Sequence, residues 1–237
     1  MNMEVLADAD SVAHEAAAII AQEARLSVSA RGRFVLAVNG DATSLLMLRA
    51  LAYEQVVWER LHIVQVGECV APIGDPCRDF SRLRESLLGR APLRPQQIHA
   101  MPVEAKDLKV SAARYALSLH RLAGSPPVLD LVLPGLGLDG HTASLMPGDP
   151  VLTVTDRDVA TTGIYQEKRW MTMTYPILNR SRLVLWLVTG REKAEMLNRL
   201  RERDESIPAG RVRGGASLIL ADSAAASPVA FGQQKAG

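Results

Sequence analysis

A short apolar run, Leu129-Asp130-Leu131-Val132-Leu133, passes directly into Pro134-Gly135-Leu136-Gly137-Leu138-Asp139-Gly140-His141-Thr142-Ala143-Ser144. No other stretch constrains the fold as strongly. A run this short, bounded by proline and glycine, reads as a buried strand, because a core helix would need a longer one. The glycines then make a tight turn that carries an acid, a histidine and two hydroxyls. Open α/β sheets bind ligands beyond the carboxyl ends of their strands, so a titratable imidazole at this position points to chemistry. His141 is the candidate catalytic group, with Asp139 beside it. The competing structural reading is a strand-to-helix turn with a hydrogen-bonded histidine.

Gly135, Gly137 and Gly140 also have the spacing of a dinucleotide-binding turn. That turn needs a full helix after its third glycine, aimed at a pyrophosphate. Here Pro147-Gly148 leaves room for about two turns, and Asp139 would set a carboxylate against the phosphates. No redox cofactor is implied.

Along the rest of the chain, strand-like and helix-like patterns alternate. Val12, Ala16, Ile19, Ile20 and Ala24 recur at helical spacing from a cap at Asp10-Ser11 to about Leu26, and residues 27–32 read as a turn. Phe34-Val35-Leu36-Ala37-Val38 is a fully apolar strand. Asn39-Gly40-Asp41-Ala42-Thr43-Ser44 then feeds a helix. Such a turn is a ready phosphate cradle, with Gly40, Thr43 and Ser44 as candidate donors, unless Asp41 only caps the helix. Residues 58–66 read as a second strand, Phe80 to Leu88 as a helix and Ser111 to Leu122 as another. Residues 168–174 alternate as a half-buried strand would, and Leu183 to Val188 form a buried one. Lys193 falls in the first turn of the following helix, where the dipole disfavours a cation, which hints at anion binding. Ala216 to Leu220 supply a last strand, and a polar tail runs on from Ser223. This alternation predicts an α/β fold in one domain over residues 1–237, with a mostly parallel, Rossmann-like sheet and helices on both faces.

Composition narrows the function. Apolar residues at 48% suffice for a large core, while a net charge of +1 and 4% aromatics offer neither a basic field nor stacking platforms. Neither nucleic acid nor a membrane is an expected partner. Cys69 and Cys77 lack zinc-site spacing and read as reduced thiols of a cytoplasmic protein.

The residues from Asp130 to Gly148 resemble the signature of the 6-phosphogluconolactonases, which hydrolyse 6-phosphoglucono-δ-lactone in the pentose phosphate pathway. The related glucosamine-6-phosphate deaminases share the Gly-x-Gly-x-Asp-Gly-His core, but Thr142-Ala143-Ser144-Leu145 with Pro147-Gly148 is the lactonase form. The resemblance extends over about residues 3–226 and implies a small sugar phosphate as substrate and no cofactor. It implies His141 as the base that activates water and Asp139 as its partner, with Gly137 and Gly140 in the substrate-binding turn. Phosphate would be held by Arg169, Lys193, Thr43 and Ser44.

Two departures stand out. The family's Ser-Gly-Gly-Ser-Thr-Pro keeps only Gly40 in register. The family's Asp-Glu-Arg, whose arginine contacts the phosphate, becomes Gly67-Glu68-Cys69, which retains Glu68 alone and leaves Arg78 as the nearest cation in sequence. These departures motivate a rival reading, a sugar-phosphate-binding relative that has lost turnover. A deaminase or isomerase is the other alternative, and the sequence leaves oligomeric state open.

Overall fold

A computed structural model describes residues 1–228. The part of the expected tail after residue 228 lies outside the described residues. The sheet contains seven parallel strands in the spatial order β1-β10-β9-β6-β2-β3-β5. In chain order they are β1 (Asn2–Leu6), β2 (Phe34–Val38), β3 (Leu61–Gln65), β5 (Ile98–His99), β6 (Leu131–Val132), β9 (Leu183–Val188) and β10 (Ala216–Asp222). A second, antiparallel sheet of three strands joins β4 (Gly67–Cys69), β8 (Trp170–Met173) and β7 (Val159–Thr161).

Successive strand residues feed opposite cores, as a parallel sheet covered on both faces requires. Phe34, Leu36 and Val38 face helices α1 (Ala9–Arg31) and α2 (Ala42–Leu51), whereas Val35 and Ala37 face α4 (Leu108–Ala123), α5 (Tyr175–Arg180), α6 (Ala194–Arg201) and the small sheet. Trp186 on β9 is fully buried, with its indole N–H donating to Ser217 at 3.2 Å.

Helix α1 is longer at both ends than its apolar spacing suggests. Asp8 is the N-cap and accepts from the Ser11 amide at 2.8 Å, and the helix runs to Gly32, which ends it with φ 74°. Ser27 stays helical because it is buried and donates to the Arg33 carbonyl. Strand β1 carries no clear sequence pattern because it is an edge strand with most of its residues exposed. Strand β8 is not half-buried: Met171, Thr172 and Met173 are all enclosed, since β8 is the middle strand of the small sheet.

The cysteines correct the expectation of free thiols, for Cys69 and Cys77 form a disulfide with a Cα separation of 5.9 Å. Their sequence spacing held no sign of it. The pairing arises because β4 ends beside the loop that leads into α3 (Asp79–Leu83), which continues as a wider π turn over Arg84–Leu88.

The chain proceeds from β2 outward to β3 and β5, then returns to the other side of β2 to add β6, β9 and β10. The sheet therefore changes direction between β2 and β6. The loops beyond these two strands splay apart at this point and leave a crevice.

Candidate active site

A cleft of about 620 Å³ opens at this crevice. Its floor is the turn after β6, with Leu136 to Asp139 and His141 but not Gly140. Asn39 and Asp41 enter from the loop after β2, Asp79 and Arg82 from the start of α3, Tyr165 and Trp170 from the β7–β8 hairpin, and Lys193 from the turn after β9. A larger hollow of about 780 Å³ lies between α4 and residues 154–161, but it contains neither Asp139 nor His141. Within it Asp158 is held by both Arg180 and His120, and Asp156 pairs with Arg157.

The turn after β6 builds a carboxylate–imidazole pair. Asp139 Oδ1 accepts from the His141 amide at 3.0 Å and lies 2.6 Å from His141 Nδ1, while Oδ2 accepts from the Tyr165 hydroxyl at 2.9 Å. The hydrogen bond from the His141 ring, joined by those from its amide and from Tyr165, holds the Asp139 carboxyl well below the usual carboxylate range. An ionised carboxylate only accepts, so Nδ1 carries a ring proton, and Nε2 is the nitrogen on which the neutral ring has its lone pair. Among the described residues Nε2 has no hydrogen-bond partner, and about a third of the imidazole is exposed to the cleft.

Gly137 makes this placement possible. Its N–H donates to the His141 carbonyl at 2.8 Å, and a Cβ at this position would stand 2.0 Å from His141 Nδ1. The Gly140 amide donates to the Gly137 carbonyl at 3.2 Å, and the Gly140 carbonyl accepts from Ala209 at 3.0 Å. The amides of Gly137 and Gly140 are thus engaged within the turn, and neither is a free oxyanion donor.

The structure separates the expected phosphate ligands. Lys193 is in the cleft and donates to the Leu136 carbonyl. Burial lowers its pKa, opposed by the nearby carboxylates of Asp41, Glu192 and Asp139. Thr43 is tied to the Thr189 hydroxyl at 2.8 Å and Ser44 is buried on α2, so neither hydroxyl lines the cleft. Asp41 caps α2, accepting from the Ser44 amide at 2.8 Å, and its side chain also lines the cleft. Gly40 lies against Asp79, where a Cβ would come within 2.5 Å of the aspartate side chain.

Glu68 and Arg78 are structural. Glu68 is fully buried and accepts from Gln65, Cys69, Asp79 and Phe80 at 2.8–2.9 Å, which caps the start of α3. Arg78 lies behind it, with Nε 3.4 Å from Glu68 and Nη1 on Ala71 and Glu104. Neither side chain reaches the cleft. Arg169 lies outside it as well, lining a separate shallow hollow with Lys168 and Val70. Neighbours on a strand face opposite ways, so Trp170 takes the position in the cleft wall instead, its ring 6.3 Å from that of Tyr165.

The sequence reading missed Tyr165, Trp170, Asp79 and Arg82. A signal existed for Arg82, which follows Asp79 by one helical turn and carries its charge to the same face. Among the described residues no group of three or more His, Cys, Asp or Glu side chains is arranged to hold a metal ion, and no helix is long and apolar enough to cross a membrane.

Residues 7–220 match the family described as glucosamine-6-phosphate isomerases/6-phosphogluconolactonase. A 6-phosphogluconolactonase of Synechocystis is 34% identical over 178 residues, covering 73% of this chain and 74% of the relative. The crystal structure of the Thermotoga maritima 6-phosphogluconolactonase superposes with a TM-score of 0.83 at 23% identity, covering 93% of this chain and 99% of that one. A monomeric glucosamine-6-phosphate deaminase superposes almost as well, with a TM-score of 0.82 at 20% identity, covering 95% of this chain and 99% of that one. The fold is therefore common to both activities, and the chain belongs to the glucosamine-6-phosphate isomerase/6-phosphogluconolactonase family.

Proposed function

We propose that this protein hydrolyses 6-phosphoglucono-δ-lactone to 6-phosphogluconate. The observation that carries this reading is the Asp139–His141 pair, whose geometry engages Nδ1 and turns Nε2 to the floor of the cleft as the nitrogen available to act as a base. A lactone is an ester, and its hydrolysis needs a base for water and a compensating charge for the carbonyl oxygen. In this reading His141 Nε2 takes a proton from water as the water oxygen bonds to the lactone carbon. The imidazolium is stabilised by Asp139. The tetrahedral intermediate then collapses, the ring C–O bond breaks, and Nε2 returns the proton to the departing ring oxygen. Lys193, at the Leu136 carbonyl, supplies positive charge beside the turn. General-base catalysis of this kind contributes typically about 10²–10⁴-fold. The 34% identical Synechocystis lactonase and the Thr142-Ala143-Ser144-Leu145 continuation favour the lactone over an amino sugar.

The test is a coupled assay in which lactone is made freshly from glucose 6-phosphate and the 6-phosphogluconate released is oxidised by its dehydrogenase. Hydrolysis well above the spontaneous rate is expected. Binding of 6-phosphogluconate without acceleration would replace this reading with that of a non-catalytic sugar-phosphate binder.

A further inference from the structure

The cleft poses a problem of charge. Asp41, Asp79 and Asp139 all line it, and a phosphorylated substrate would bring further negative charge. The sequence positions expected to supply cations mostly do not. Cys69 is buried in a disulfide, Arg78 is enclosed against Glu68, and Arg169 lines another hollow. Among the described residues, the lysine and arginine side chains lining the cleft are Lys193 and Arg82.

Lys193 is half-buried and bonded to the catalytic turn. Arg82 differs in every respect. Its side chain is 45% exposed, and its one ion pair is a short contact to Asp79 at 2.5 Å, three residues earlier on the same helix. Exposed pairs of this type are weak, whereas guanidinium–phosphate contacts are charge-assisted and often bidentate. The platform beneath Arg82 is firm. Glu68 accepts from the first amides of α3, and the Cys69–Cys77 disulfide ties the preceding loop to β4. Asp79 packs against Gly40, so the ion pair sits beside the loop after β2.

We propose that Arg82 is the guanidinium by which this protein recognises the phosphate of its sugar substrate, with Asp79 holding the side chain at the cleft until phosphate takes its place. The proposal rests on the sugar-phosphate reading of the cleft and assigns to α3 a contact that the residue at position 69 cannot make.

The experiment is a calorimetric titration with 6-phosphogluconate and, separately, with gluconate, which lacks the phosphate. Wild type is expected to prefer 6-phosphogluconate. Arg82→Ala should weaken 6-phosphogluconate by about tenfold or more and leave gluconate within about twofold, with Arg82→Lys in between because an ammonium keeps charge but not the fork. Arg169→Ala is the control and should change neither. An Arg82→Ala protein that keeps its affinity for 6-phosphogluconate, or loses both ligands equally, overturns the proposal. Lactone turnover by the wild type is scored independently. Phosphate-dependent binding lost in Arg82→Ala without wild-type hydrolysis would sink the lactonase reading and sustain Arg82. Hydrolysis with an unchanged ligand preference would do the reverse, and a wild type that binds neither ligand would end both.

Discussion

Asp139 and His141 are joined twice across two residues of chain, by the backbone amide at 3.0 Å and by the ring nitrogen at 2.6 Å, both onto the same carboxylate oxygen. The double attachment fixes the orientation of the ring as well as its tautomer. His141→Ala should therefore lower turnover by about 10²-fold or more with the fold intact. Asp139→Asn should also lower it, because an amide can donate to Nδ1 and leave the wrong ring nitrogen protonated. The two losses should not add in the double variant. Steady-state kinetics on the three proteins decide this, and a fully active His141→Ala protein would remove the base from the mechanism.

Gly137 provides a test that leaves every functional group in place. A methyl group here would collide with the imidazole, since the ideal Cβ lies 2.0 Å from Nδ1 and 2.3 Å from Cε1. The ring must turn away from Asp139. Gly137→Ala should lower kcat by about tenfold or more, as a positioning loss costs about 1.4 kcal/mol per factor of ten. Tyr165→Phe, which removes only the outer hydrogen bond to Asp139, should have a smaller effect. Equal kcat for Gly137→Ala and wild type would show that the ring tolerates a different position.

The sequence made the central motif legible because its features are local. An apolar run, glycines and an acid two residues before a histidine determine a turn without help from distant parts of the chain. The walls of the cleft depend on tertiary placement. Arg169 and Trp170 are neighbours, and which of them faces inward depends on the register of β8 against β4 and β7, which a short alternating segment leaves open. Glu68 matched a functional motif in sequence, yet its carboxylate faces the amides of a helix that starts at residue 79. The disulfide is of the same kind, since only the fold brings position 77 back to β4.

That disulfide closes a short loop, with a sequence separation of 8 between its cysteines. Cross-linking a loop of this size stabilises by about 2–3 kcal/mol in the chain-entropy picture. Reduction with a dithiol should lower the urea midpoint accordingly, and Cys77→Ser should reproduce the loss and make the protein insensitive to reductant. Because Cys77 lines the cleft and leads into α3, reduction should also weaken 6-phosphogluconate binding. A wild type whose unfolding curve is the same with and without dithiol would show that the bond contributes nothing in solution.

Asp79 gives the protein a pH dependence of opposite sign to that of a normal surface aspartate. Burial, reinforced by the nearby Glu68 carboxylate and opposed by Arg82, raises its pKa from 3.8 to about 6. The folded state therefore holds this proton more tightly than the unfolded chain does. Its contribution to stability is fully present below the unfolded value of 3.8 and is lost as pH rises through about 6. Asp79→Asn removes the titration. Between pH 7.5 and pH 5, the stability of wild type relative to Asp79→Asn should rise by about 1 kcal/mol, since a quarter of the side chain still meets solvent. The histidines are present in both proteins and cancel in the comparison. Asp139, held well below the usual range, contributes in the opposite direction, and its stabilisation is lost only at more acid pH. Urea unfolding of the pair at the two pH values is the measurement. A constant difference between them would mean that Asp79 stays ionised in the folded protein throughout, with Arg82 outweighing the cost of burial.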